Sequence, residues 1–255
     1  MDYLKSEHLK FKRTISNKLI FIVPLITAIF AWIMGGYMGY QYMTLYWWYA
    51  FLLPGGIAIL CSLSHGKEEN AGKYYSVFSM PVNLSRFEFA KCIILVEKLL
   101  VSAIFLALLI SISNIIAPAT AVYSLLHSIT GSIGIILASV WQIPLCLYLA
   151  RKTGMFVPIV LNTILGIVLS TATALGNTIA WWFVPYCWAA KLAEPLMGIE
   201  MNGTYAGNCG FSIAIMISIL LSILLFLILS YADIKAVFCN GATSHKLYMK
   251  YCYPS

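Results

Sequence analysis

Residues 65–91 read HGKEENAGKYYSVFSMPVNLSRFEFAK. This is the longest strongly charged run between apolar blocks, in a chain that is 61% hydrophobic and only 10% charged. That contrast decides the fold. Apolar runs of about 20 residues flank it, the length a helix needs to cross a hydrocarbon core about 30 Å thick. Mean hydropathy is +0.87, and few soluble folds of 255 residues could bury so much apolar surface. The class is an all-α polytopic membrane protein.

Working outward, six transmembrane helices fall near 18–36, 47–63, 92–113, 130–150, 155–175 and 211–231. With the N-terminus inside, 15 of the 16 basic residues are cytoplasmic, and only Lys191 is outside. An even span count with that bias puts both termini in the cytoplasm. No cleavable signal is expected, because no A-x-A-like site follows the first apolar block. The division is therefore 1–17 as a cytoplasmic interfacial helix, 18–231 as the six-helix domain and 232–255 as a cytoplasmic tail, in which we expect weak order. The formal charge is +7. Because the basic residues lie between apolar blocks, their partners are anionic membrane lipids and no nucleic acid. In 3–17, Leu4, His8, Phe11 and Ile15 share one helical face, with Lys5, Lys12 and Ser16 on another. This suits a helix lying in the interface, a solvated basic tail being the alternative.

Within the opening stretch, Glu68 and Glu69 suit a helix N-terminus, and Glu69 pairs with Lys73 at i,i+4. Pro81 stops that helix. Ser85-x-x-Glu88 reads as a capping box, so a helix is expected from Arg86. From there to Lys98 is about 18 Å of helix projecting into the cytoplasm. Helix, break, helix makes a compact knob continuous with a transmembrane rod, a shape that transmits a push. An ordinary polar loop is the bland alternative. Glu97 and Lys98 read as interfacial anchors or a local ion pair. Pro24 and Pro144 should kink or loosen their spans.

The outer segment 37–48 is rich in Tyr and Trp, an aromatic belt. Gly35, Gly36 and Gly39 before it permit either close helix approach or a flexible exit. The second informative stretch is 176–210, GNTIAWWFVPYCWAAKLAEPLMGIEMNGTYAGNCG. Trp181, Trp182, Phe183, Tyr186 and Trp188 crowd around Pro185 there. An amphipathic run follows, too short and broken to span. It suits a re-entrant or interfacial helix pair at the outer leaflet, either contacting a cationic amphipathic ligand or simply anchoring. Cys187 and Cys209 both fall in this loop, and spacing alone leaves a disulfide open. Asn202-Gly-Thr204 matches a glycosylation acceptor, a motif common by chance.

There is no GxxxxGK[ST] and no HExxH, and His8, His65, His127 and His245 are scattered. The chain itself therefore reads as a transport subunit, not an enzyme, with no catalytic or metal-ligating residue and no cofactor of its own. A moving bundle without an energy source implies a separate motor.

The segments LKSEHLKFKRT, KEENAGKYYSVFSMPVNLSRFEFAK and WWFVPYCWAAKLAEPLMGIEMNGT, with six spans, resemble the ABC-2-type permeases of lantibiotic immunity transporters in Gram-positive bacteria. These are the E and G subunits, and the resemblance leans to the E type. It implies a complex of two different, homologous permeases and two copies of an ATPase that carries ATP and Mg. That complex would expel lantibiotic, an antimicrobial peptide, from the cytoplasmic membrane to the exterior and so confer immunity or resistance. It also implies that Glu68, Glu69, Gly72, Lys73, Pro81 and Arg86 form the ATPase-coupling contact. Trp181, Trp182, Phe183, Tyr186 and Trp188 would border the substrate route. The alternatives are a non-transporting sensor or scaffold subunit, or an ABC-2 permease for lipid or drug.

Overall fold

A computed structural model describes residues 2–11, 14–70, 84–176, 178–207 and 209–252. In chain order come α1 (Asp2–Phe11), α2 (Ile15–Trp47), α3 (Leu53–Asn70), α4 (Leu84–Ile116), α5 (Leu125–Ser139), α6 (Gln142–Thr153), α7 (Phe156–Ser170), α8 (Cys187–Met197) and α9 (Ile213–Cys252). Among the described residues the sole β contact is a bridge between Ile199 and Tyr205.

A five-residue π turn, Trp48–Leu52, joins α2 to α3, so helix runs from Ile15 to Glu69 over 55 residues. Straight, that would be about 80 Å long at 1.5 Å per residue. It reverses instead at Gly36, whose φ of 56° and ψ of −161° are open essentially to glycine alone. The limbs then run back along each other. Phe30 meets Trp47 edge-on at 4.9 Å, Val23 lies over Gly56, and Lys67 Nζ donates to Thr14 Oγ1 at 3.1 Å. Gly36 is thus a turn within helix, and the 37–48 stretch is helical. Gly35 and Gly39 do serve close approach: a Cβ on them would stand 2.9 Å from Met43 Cγ and 3.1 Å from the Tyr42 hydroxyl.

α4 lies alongside the first limb. Ser102 Oγ donates to the Ile20 carbonyl at 2.8 Å, and Phe21 meets Phe105 edge-on at 5.2 Å. Ile20 is four residues before Pro24, whose missing N–H leaves that carbonyl without its helical donor, and Ser102 supplies one. At the far end Gln41 is a junction. Its Nε2 donates to Ser113 Oγ at 2.7 Å, and its Oε1 accepts the backbone N–H groups of Val122 and Tyr123 at 2.7 and 2.9 Å.

α5 and α6 form a single path bent by 46°. The bend sits just before Pro144. The Val140 carbonyl, which Pro144 cannot serve, takes the Ile143 N–H at 3.1 Å in a tighter turn. α7 packs on α3, where Gly166 lets Pro54 approach: a Cβ there would stand 2.8 Å from Pro54 Cγ. The chain then rises, turns, and sends α8 back antiparallel to α5. Trp188 lies beside Trp141 at one end of α8, and the Tyr123 hydroxyl donates to the Met197 carbonyl at the other. Trp48, Tyr49, Leu53, Ile57, Leu95, Ile110 and Ile135 are buried in the core. Large apolar side chains on the outer faces of α2, α7 and α9 are exposed, among them Ile33, Val160 and Leu220.

Four expectations change here. By length and composition the described residues hold three candidate membrane helices, 15–69, 85–116 and 213–234, or four if the bent α5–α6 pair is one span. Six were expected. The difference arises because the first helix contains its own reversal and α7 is only 15 residues long. The helix expected from Arg86 starts at Leu84. The amphipathic face expected across 3–17 is divided: α1 ends at Phe11, which turns inward under Lys67, and Ile15 belongs to α2. Finally, the stretch after residue 232 continues α9 as helix to Cys252, where weak order was expected.

Candidate functional site

We call the end carrying Lys67, Lys91, Arg151 and Lys152 the basic end. Here five charged side chains from four helices meet. Lys91 Nζ lies 2.6 Å from Glu68 Oε2 and 3.0 Å from Glu88 Oε2. Arg151 Nη1 donates to Glu88 Oε2 at 2.9 Å, and Nη2 pairs with Asp233. In space the order is Glu68, Lys91, Glu88, Arg151, Asp233, so each cation sits between two carboxylates. Side-chain exposure runs from 0% at Lys91 to 11% at Arg151. The local sequence builds this simply: Glu88 and Lys91 are one turn apart on α4, Arg151 is in the last turn of α6, and Glu68 is near the end of α3. Burial makes the pairs interdependent. Removing one partner of a buried pair leaves an uncompensated charge and costs about 3–5 kcal/mol.

Around this node lie weaker contacts. His65 Nε2 is 3.8 Å from Glu69, His8 lies 3.6 Å from Glu97, and Lys98 Nζ is 3.4 Å from Glu97. The last is the local ion pair expected at the edge of α4.

Of the six residues expected to contact an ATPase, Glu69 and Arg86 are exposed, whereas Glu68 is buried and faces Lys91. Gly72, Lys73 and Pro81 lie outside the described residues, as does the Lys73 half of its pairing with Glu69. Glu88 is no capping residue, because its carboxylate is held by Lys91 and Arg151. The start of α4 is not a free rod either, since Phe87, Glu88, Ala90, Lys91, Cys92, Ile94 and Leu95 are all buried against the bundle.

The opposite, aromatic end holds the re-entrant segment. Trp182 and Phe183 are exposed on the apolar outer face, at 44% and 85%, and Trp181 is partly buried. Tyr186 and Trp188 are buried and meet Trp141 edge-on at 4.9 and 6.2 Å. The five aromatics therefore divide between an outer edge and the interior. Below them lies a polar network. Asn162 Nδ2 donates to the Pro54 carbonyl at 2.7 Å and to Gln142 Oε1 at 3.0 Å, and its Oδ1 accepts from the Tyr186 hydroxyl at 2.6 Å. Cys187 and Cys209 are both free thiols: Cys187 is buried and donates to the Leu169 carbonyl, and Cys209 is exposed. Burial raises the Cys209 thiol above its ordinary pKa. Burial, then the nearby Tyr205, raises the Tyr123 hydroxyl, keeping it a donor. Gly203 (φ +86°) lies flat on the Tyr46 ring, and Tyr205 stacks on Tyr42 at 5.6 Å, which seats the loop on the bundle. Asn202 and Thr204 both bond to Glu200 in this exposed turn.

Sequence reasoning missed Lys91, Glu88, Arg151 and Asp233 as a unit, and Asn162 and Gln142 altogether. Glu88-x-x-Lys91 carried a readable i,i+3 signal. The partners on α6 and α9 are far away in the chain and carried none.

Comparison with known proteins supplies the class. No curated protein and no solved structure gives a match. The family model described as ABC-2 family transporter protein matches residues 3–169, from α1 to the end of α7, which is more than half of the chain. An apolar helical bundle with this match is an integral membrane transport component rather than a catalyst, and its family works with an ATPase: the chain belongs to the ABC-2 family of transporter proteins.

Proposed function

We propose that this chain is one permease subunit of an ABC transporter that expels a lantibiotic from the cytoplasmic membrane of a Gram-positive bacterium to the exterior. A second, homologous permease and two copies of an ATPase complete the complex, and ATP and Mg belong to the ATPase. The observation that carries the transport role is the family match over residues 3–169. The lantibiotic cargo rests on the resemblance of residues 65–91 and of the Trp-rich loop, and on Trp182 and Phe183 standing on the lipid-facing edge of a re-entrant segment. An amphipathic cationic peptide lodged in the outer leaflet would meet that edge first.

In this reading the chain crosses the membrane six times. The reversal at Gly36 makes two crossings of the 55-residue helix, and α4, the bent α5–α6 path, α7 with its re-entrant continuation, and α9 make the rest. The basic end faces the cytoplasm. Glu69, Gly72, Lys73, Pro81 and Arg86 meet the ATPase, and Glu68 holds the segment from inside.

The test is peptide protection in cells expressing the whole transporter. Paired charge reversal, Glu69→Lys with Arg86→Glu, should abolish protection while the chain stays at wild-type level in the membrane. Undiminished protection would remove the contact assignment. Protection that persists with a hydrolysis-dead ATPase would remove the transporter reading itself.

A further inference from the structure

The proposed function gives residues 65–91 the task of receiving force, and the inference here rests on that reading. A push on one loop moves a bundle only if something stiff joins the loop to the other helices. α4 is one such element, because it continues the loop. The ion pairs at the basic end provide a second, transverse connection.

Lys91 bridges the two ends of the segment directly, holding Glu68 before it and Glu88 after it at 2.6 and 3.0 Å. Glu88 is shared: its Oε2 also accepts from Arg151 at 2.9 Å, and Arg151 pairs with Asp233. The charges alternate in sign from α3 through α4 and α6 to α9. Because all five side chains are nearly water-free, no link can open without leaving a bare charge in a low-dielectric interior. The row must therefore move as a unit or break. α9 has the greatest need of it. Most of its surface is exposed apolar side chain, and its buried stripe is Ile215, Ser218, Ser222, Ser230 and Asp233, whose small hydroxyls offer little grip. Asp233 is the charged anchor at its basic end.

We infer that Lys91, Glu88, Arg151 and Asp233 are positioning residues that carry displacement of the cytoplasmic segment sideways into α6 and α9, so that three parts of the bundle move together. None of the four touches cargo or nucleotide in this scheme. Asp233 is the informative one, since it lies on the opposite side of the node from residues 65–91.

Two measurements on the Asp233→Asn variant test this. In the purified full chain in lipid nanodiscs, with native cysteines replaced, spin labels at the exposed positions 69 and 231 report the distance across the node. A single narrow distribution is expected for the parent and a clearly broader one for the variant, while Asp233→Glu restores the narrow one. An unchanged distribution overturns the inference. In the assembled transporter, Asp233→Asn should lower peptide export on the order of tenfold, as for residues along a coupling network, with ATP hydrolysis held at the parent's rate. A variant that is merely misfolded would lose both together and would be unrescued by Asp233→Glu. Broadening with export intact, or export and hydrolysis lost in proportion, overturns the coupling role. The label distance needs no ATPase, so it remains readable even if the transporter reading fails. Should Asp233→Asn not insert, the neutral pair Glu68→Gln with Lys91→Gln opens the other end of the row and is read by the same two measurements, with the same outcomes counting for and against.

Discussion

Replacing Asn162 by Ala should destabilise this protein more than any other single truncation on α7. The side chain makes three buried hydrogen bonds, to the Pro54 carbonyl, to Gln142 and from Tyr186, at 2.7, 3.0 and 2.6 Å. In membrane proteins such a bond averages about 0.6 kcal/mol, and in soluble cores about 0.5–1.5 kcal/mol. Three of them give about 2–4 kcal/mol, because Asn162→Ala strands all three partners at once in a site without water. Tyr186→Phe removes one bond and should cost about 1 kcal/mol. The two sites share a bond, so the double variant should lose less than the two singles added together. Reversible denaturation in detergent, followed by tryptophan fluorescence from Trp141 and Trp188 beside the network, measures all three. If Asn162→Ala costs no more than Tyr186→Phe, the network does not hold the re-entrant segment to α7, and the reasoning fails.

Two further outcomes follow from backbone and burial. Gly36→Ala meets no side chain, since nothing lies within 4 Å of a Cβ there, but its backbone angles suit only glycine. It should cost about 1–3 kcal/mol from strain alone, and Gly36→Asn should not relieve it because ψ is far from the left-handed helix value; the same denaturation assay reads both. A membrane-impermeant maleimide added to intact cells should modify Cys209, slowly at neutral pH because its thiol is raised and faster in alkaline buffer, and should spare buried Cys61, Cys92, Cys146 and Cys187. Labelling of Cys209 only after the cells are opened would invert the topology.

The membrane class, the re-entrant segment and the prominence of residues 65–91 were legible because they depend on run length and on local charge. A run of apolar residues must be helix in lipid whatever its neighbours do. Three things were not legible. Whether Gly36 turns the chain or merely loosens it depends on φ, which three nearby glycines leave undetermined. Whether Glu68 faces outward or inward depends on a lysine 23 residues away. Asn162 looked like one polar residue in an apolar span, and its meaning comes from Pro54 and Gln142 on other helices. In each case the deciding partner is non-local, and periodicity says nothing about it. Charges counted only for orientation, Arg151 and Lys91 among them, proved to be internal structure.

The prolines tie these pieces together. Each break removes a backbone donor that lipid cannot replace. Pro24 frees the Ile20 carbonyl, which Ser102 serves; Pro144 frees that of Val140, which a tighter turn serves; and the Pro54 carbonyl, beside the π turn, is held by Asn162. These joints lie within the spans, where a side-chain or tightened bond can lengthen without exposing backbone to lipid. The ion-paired row lies at one end, where every link is charged. A bundle built this way is stiff where the proposed force enters and compliant partway along its helices. Displacement of the basic end would then bend α2 at Pro24, α3 at Pro54 and the α5–α6 path at Pro144. Asn162 and Tyr186 would transfer that bending to the re-entrant segment, whose outer edge carries Trp182 and Phe183.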